Sequence, residues 1–349
     1  MKDKDSDDDD GQRSDPLDEL LDRGWELLRK DDLEGARRVA GEAREIDARS
    51  AEPLTLLGSV AAAEGDAEKA LELYRSASRV DPEDVAPLIY AAEIVVYDKD
   101  DPEEALRLVE KALALAEDEE DFIDALLLKA EIHVVAEDAA AAVAALEELP
   151  PTQLPDATLE MRAGRLFLDL GHLDEAEDHF QQAIELDPKM ADAHHGLGMV
   201  SEEHDDTRAM VKSWMRVREL DLEDGPIPWA MPQEEFEKVA EAALEELPER
   251  IGKLLENVPI VAADYPSIEI VAEGNDPRML GFFSGVPYPE KSHLGGTPHL
   301  DCVFLYKLNI ERVAKNRADA AKEIRITLLH ETGHFFGLSE EELDDMGLG

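Results

Sequence analysis

Cationic side chains are scarce in this chain. Lysine and arginine number 35 against 84 aspartates and glutamates, a formal net charge of −49. A surface of that sign repels nucleic-acid phosphates and anionic headgroups, so neither nucleic acid nor membrane is expected as a partner. Cysteine is nearly missing as well. The single Cys302 rules out an internal disulfide and suits a reducing compartment, which makes the cytoplasm the expected location. No apolar run approaches the roughly 18 residues of a membrane helix, and Met1-Lys2-Asp3-Lys4-Asp5 holds no apolar segment of a secretory signal.

What is present fits globular protein: 44% hydrophobic and 34% charged residues. At 349 residues the chain exceeds one typical domain. The acidity is uneven. From Gln233 onward there are 23 acidic and 11 basic residues, leaving 61 and 24 for the first 232. Such density reads as solubility, or as an acidic docking face for a basic partner.

The chain divides by texture. Residues 1–14, with Asp7-Asp8-Asp9-Asp10, have almost nothing to bury and are expected to be a disordered acidic tail. Residues 15–224 repeat themselves. Gly58, Ala70, Tyr74, Ala77 and Pro82 fall at the same relative offsets as Gly164, Ala176, Phe180, Ala183 and Pro188. Gly24, Ala36, Ala40 and Ala43 match in a first copy, and Leu197-Gly198 opens a last one. These are the small and aromatic positions of the 34-residue tetratricopeptide pattern, in which close-packed helix pairs stack into a superhelix. Weaker copies surround Ala92, Ala105 and Ala112, with an insertion at Asp98–Pro102, and Ala130, Ala142 and Leu146. About six repeats are expected over residues 17–222.

Three prolines in Gly225-Pro226-Ile227-Pro228-Trp229-Ala230-Met231-Pro232 cannot sit inside a helix, so residues 225–232 read as a linker. Residues 233–349 then read as a small α+β domain. A helix is expected over 233–247 and strand-like runs over Val258–Ala262, Ile268–Ala272, Met279–Phe283 and Cys302–Tyr306. A long helix follows from about Ala318 to Phe336. The fold class is therefore multidomain, an all-α repeat superhelix followed by a small α+β domain.

That last helix carries His330-Glu331-Thr332-Gly333-His334. Two histidines four apart project from one helix face and can both reach one Zn²⁺ at about 2.0–2.1 Å. Glu331, offset around the helix, suits a base that takes a proton from the attacking water and returns it to a leaving amine. Gly337 is placed to end the helix with positive φ, and Ser339 with Glu342 resembles a capping box. That turn would swing Glu340 back as a third ligand, with Glu341 or Asp344 as alternatives.

These residues carry a family resemblance. The run His330 to Gly337 with Leu338-Ser339-Glu340-Glu341-Glu342-Leu343 resembles the small bacterial zincin-like metallopeptidases. So do Leu255-Glu256-Asn257-Val258, Leu280-Gly281-Phe282-Phe283-Ser284-Gly285-Val286-Pro287 and Ile324-Arg325-Ile326-Thr327. The resemblance spans about residues 233–349 and implies a minimal zincin fold, with a twisted sheet over the active helix and one metal. The family's acidic third position is often Asp, so Glu340 departs from it by one methylene. Metzincins would instead carry a histidine at position 340.

Together these features make a zinc metallopeptidase the expected function, with the repeat groove recruiting a protein or peptide. The competing expectation is an interaction scaffold whose zincin-like module is inactive or latent. Gly281, Phe282 and Phe283 read as a strand edge able to pair with extended substrate, or as a core strand. His293 and His299 read as loop histidines, His194 and His195 as groove or solvent residues without metal, and Cys302 as a buried strand residue without a base.

Overall fold

The computed structural model describes residues 16–245, 258–285, 302–339 and 342, and holds 16 helices and three strands among them. The acidic tail expected at 1–14, the loop histidines His293 and His299, and the third-ligand candidates Glu340, Glu341 and Asp344 lie outside the described residues. Two compact units divide between Leu186 and Asp187.

The first unit holds five helical hairpins: α1 (Pro16–Arg29) with α2 (Leu33–Ile46), α3 (Glu52–Ala63) with α4 (Ala67–Val80), α5 (Ala86–Tyr97) with α6 (Pro102–Leu115), α7 (Glu119–Val135) with α8 (Ala139–Leu146), and α9 (Ala157–Asp169) with α10 (Leu173–Leu186). The repeat's glycine and aromatic positions meet inside each well-matched hairpin. A Cβ on Gly164 would stand 2.8 Å from the Phe180 ring, and one on Gly58 would collide with Tyr74. Glycine is what lets the aromatic lie flat between the helices.

Each hairpin turn places one residue at positive φ: Asp31, Gly65, Asp100, Glu137 and Gly171. An aspartate then caps the second helix in four of these five. Asp32 accepts from Gly35 N at 2.9 Å, Asp66 from Lys69 N at 3.1 Å, Asp101 from Glu104 N at 2.9 Å and Asp138 from Ala141 N at 3.1 Å. Each satisfies an amide that the first helical turn leaves unpaired. The insertion expected at Asp98–Pro102 is one residue in the turn. Asp66 N bonds back to Ala61 O, whereas Asp101 N reaches Val95 O, six residues back.

The weak fourth copy has a short α8, and the chain after it is pinned from below. The buried Glu160 carboxylate accepts Leu154 N at 2.6 Å and His179 Nδ1–H at 2.6 Å.

The second unit opens with a sixth hairpin, α11 (Ala191–Glu203) and α12 (Thr207–Asp224), where Gly198 and Trp214 repeat the glycine-aromatic pairing. There follow α13 (Gln233–Glu245), β1 (Ile260–Ala263), α14 (Ile268–Ala272), β2 (Gly281–Ser284), β3 (Cys302–Tyr306), α15 (Lys307–Val313) and α16 (Arg317–Phe335). The sheet order is β1-β3-β2, with β1 parallel and β2 antiparallel to β3. Phe236 and Ala240 of α13, Val303 and Leu305 of β3, and Ile324, Leu328 and Phe335 of α16 form the core.

Ile268–Ala272, expected as a strand, is a helix. The Ser267 hydroxyl caps it, accepting from Ile270 N at 3.3 Å. Only Val271 is buried, against Met210 and Trp214, whereas Ile268 is 52% exposed. A five-residue apolar run cannot by itself distinguish the two states. The proline-rich segment before α13 is packed. Met231 is 3% exposed and its amide donates to the buried Glu311 carboxylate at 2.7 Å, while Arg317 reaches the carbonyls of Trp229 and Ala230. Among the described residues no helix is long and apolar enough to cross a membrane.

Candidate active site

Helix α16 positions the chemistry. Asn316 caps its start, accepting from Ala318 N at 3.0 Å and Asp319 N at 3.1 Å, and its apolar face lies on the sheet core. At the far end Gly337 takes φ +81, Gly337 N bonds His334 O at 2.9 Å and Leu338 N reaches back to Gly333 O at 3.1 Å. This is the Schellman pattern expected of a glycine at that place. The expected capping box forms too: Glu342 N donates to Ser339 Oγ at 3.3 Å, and Ser339 N donates to Glu342 Oε2 at 2.9 Å. The helix therefore stops immediately after the histidine pair.

His330 and His334 project together. Their Nε2 atoms lie 2.9 Å apart, with ring centroids 4.6 Å apart and planes at 78°. His334 Nδ1 faces Leu338 O at 3.3 Å, the orientation in which a neutral imidazole donates Nδ1–H to the carbonyl and keeps Nε2 for a ligand. Metal-ligating histidines are oriented in this way. Two imidazole nitrogens converging on one point form a donor set suited to a borderline cation such as Zn²⁺. No cluster of three or more metal-ligating side chains occurs among the described residues.

Glu331 of α16 is 6% exposed, and its side chain lies against β2 at Gly281. The strand approaches because residue 281 is glycine. A Cβ there would stand 2.7 Å from Thr327 Cγ2 and 2.8 Å from both Glu331 Cγ and Glu331 Oε1. Beyond Gly281, Phe282 pairs in register with Phe304 and Phe283 with Val303, and the Phe283 ring meets Phe335 edge-on at 5.7 Å. Phe283 is thus partly a core residue, and β2 stands at the edge of the sheet among the described residues.

Between β2 and α16 opens a pocket of about 570 Å³. Gly281, Phe282, Phe283, His330, Glu331 and His334 all line it. Sequence reasoning did not single out Asn275, Met279 or Glu323, which line it as well. Glu323 was findable, since it precedes His330 by seven residues, two helical turns on the same face. Asn275 comes from a loop and left no periodic signal, and Met279, expected to open the strand, lies in the loop just before it. Tyr306 ends β3 with its hydroxyl buried and without a hydrogen-bond partner among the described residues. Burial first, and the Glu331 charge second, push its phenol above the usual range. Burial likewise pushes the Cys302 thiol up, away from the thiolate a nucleophile requires. His195 is not a free groove residue, because its Nε2–H faces both carboxylate oxygens of Asp276 at 3.0 Å.

The family model of the zincin-like metallopeptidases matches residues 255–349, and tetratricopeptide models match residues 21–85 and 164–203. Tetratricopeptide models thus match parts of the repeat region, and a zincin-like metallopeptidase model matches the C-terminal part of the same chain. Among curated proteins none matches the chain. Similar solved structures include the APC/C hetero-tetramer Cut9-Hcn1, at 16% identity over 58% of this chain and TM-score 0.47; the chain spans 40% of that one. PilF of Pseudomonas aeruginosa is similar at 17% identity over 58% of this chain and 91% of its own, with TM-score 0.44. TTC0263, a tetratricopeptide protein of Thermus thermophilus, is similar at 18% identity over 56% and 99%, with TM-score 0.44.

Proposed function

We propose that this protein is a cytoplasmic zinc-dependent peptidase whose repeats recruit a protein or peptide substrate. The reading is carried by the convergence of His330 and His334 Nε2, 2.9 Å apart, beside a buried Glu331 in a pocket bounded by an edge strand. His330 and His334 would hold the ion, and Glu340, which lies outside the described residues, is the proposed third ligand. A bound Zn²⁺ supplies Lewis acidity toward the scissile carbonyl and lowers the pKa of water to about 7. Glu331 takes the proton from the attacking water and delivers it to the departing amine. Gly281, Phe282 and Phe283 offer backbone groups along which an extended peptide pairs.

Glu331→Gln tests the assignment. The variant should keep its zinc and lose peptide hydrolysis by at least about a hundredfold, the usual scale of a general base. Turnover at the wild-type rate in Glu331→Gln would remove Glu331 from the mechanism. Absence of any turnover by zinc-loaded wild-type protein across a broad peptide library would favour the scaffold reading instead.

A further inference from the structure

The eight residues between α14 and β2, Glu273 to Leu280, have two working faces. On the inner face, Asn275, Met279 and Leu280 line the pocket that also holds His330, Glu331 and His334. On the outer face, Asp276 and Arg278 grip the sixth repeat hairpin. Asp276 receives His195 of α11 at 3.0 Å. Arg278 donates from Nε and Nη2 to the two oxygens of Asp221 in α12, at 3.0 and 3.1 Å, and from Nη1 to Asp192 of α11 at 2.6 Å.

These contacts are built in. The Asp221 side chain is 2% exposed and is shared with Arg312, whose Nη1 lies 2.6 Å away. A planar bidentate guanidinium–carboxylate pair fixes orientation as well as distance. Burial opposes the charge of Asp276, yet the hydrogen bond from His195 and the nearby Arg278 hold its carboxyl below the usual range. Between the two faces Asn309 ties the loop backbone, donating to Pro277 O and Met279 O at 2.8 Å each.

The loop leads directly into Gly281. The Gly281 backbone runs beside Glu331 so closely that a Cβ added there would stand 2.8 Å from the Glu331 carboxylate. The outer face is thus joined to Glu331 by five residues of chain, Asp276 to Leu280, and then by the packing of Gly281 against it.

We infer that the sixth repeat hairpin is part of the catalytic apparatus, with His195 and Arg278 as positioning residues that set the placement of β2 against Glu331. The inference rests on the peptidase reading for its effect on turnover, but its structural half is independent of it. A protein seated on α11–α12 would act on the pocket through these two links.

The test uses the full chain and the variants His195→Ala, Asp276→Asn and the double variant. Amide hydrogen exchange over residues 279–283, zinc content and peptide turnover are measured for each. Each single variant should speed exchange at 279–283 about tenfold and lower kcat by a similar factor. Zinc content and KM should be retained, and the double variant should be no worse than either single one. Arg278→Lys should fall between wild type and Arg278→Gln, since lysine restores the charge without the fork. Unchanged exchange over 279–283 in both single variants would overturn the inference, whether or not the protein cleaves peptides. A general fall in melting temperature with kcat untouched would reduce the links to scaffolding and also overturn it. If wild type shows no turnover, the peptidase reading fails alone, and the exchange data still decide the coupling.

Discussion

Single atoms decide much of this site. Gly281 has no side chain because the space is taken by Thr327 and Glu331. Gly281→Ala should therefore leave zinc bound and reduce turnover by at least about tenfold by displacing Glu331, read as kcat beside metal content; wild-type kcat would show the strand able to yield. In the first unit Glu93 of α5 is pushed up to about 7, chiefly by burial and then by Asp124 and Glu131, with Arg162 opposing. Its folded pKa thus lies above its ordinary 4.5, so its contribution to stability is complete in acid and is lost as pH rises through about 7. Glu93→Gln should raise the melting temperature at pH above about 7, by an amount corresponding to about 2 kcal/mol after solvent screening. The gain should shrink as pH approaches the ordinary carboxylate range, and a gain that did not vary with pH would contradict the assignment.

At the scale of elements, part of the unusual acidity has a local cause. Asp32, Asp66, Asp101, Asp118, Asp138, Asp156 and Asp206 each cap a helix of the repeats, where a carboxylate also complements the helix dipole. Asp66→Ala should cost about 1 kcal/mol of unfolding free energy in denaturant titration, and Asp101→Ala about the same. A neutral outcome at both would deny the capping role.

The elements were legible where local chemistry is strong. The repeat offsets of Gly58 with Tyr74 and Gly164 with Phe180 are packing constraints written at fixed spacing. The end of α16 was readable from Gly337, Ser339 and Glu342. Ile268–Ala272 was misread because its apolar run is short and its cap, Ser267, is one residue. The part of the pocket wall from Asn275 to Arg278 was illegible for a different reason. Its shape depends on Arg278 meeting Asp192 and Asp221, 86 and 57 residues away, and no local pattern encodes that.

For the molecule as a whole, net charge and repeat number describe the kind of surface it offers, whereas the proposed function rests on a few residues of one helix. The last hairpin of the repeats packs within the compact unit that carries the candidate site, so the fusion of repeat and peptidase-like domain is more than a tether at residues 225–232. The zinc content of the purified full chain beside His334→Ala tests the central claim most directly. About one zinc per chain, lost in His334→Ala and kept in Glu331→Gln, is the predicted result. A chain that takes up no zinc even when it is supplied, or a His334→Ala variant that binds it as tightly as wild type, would contradict the account.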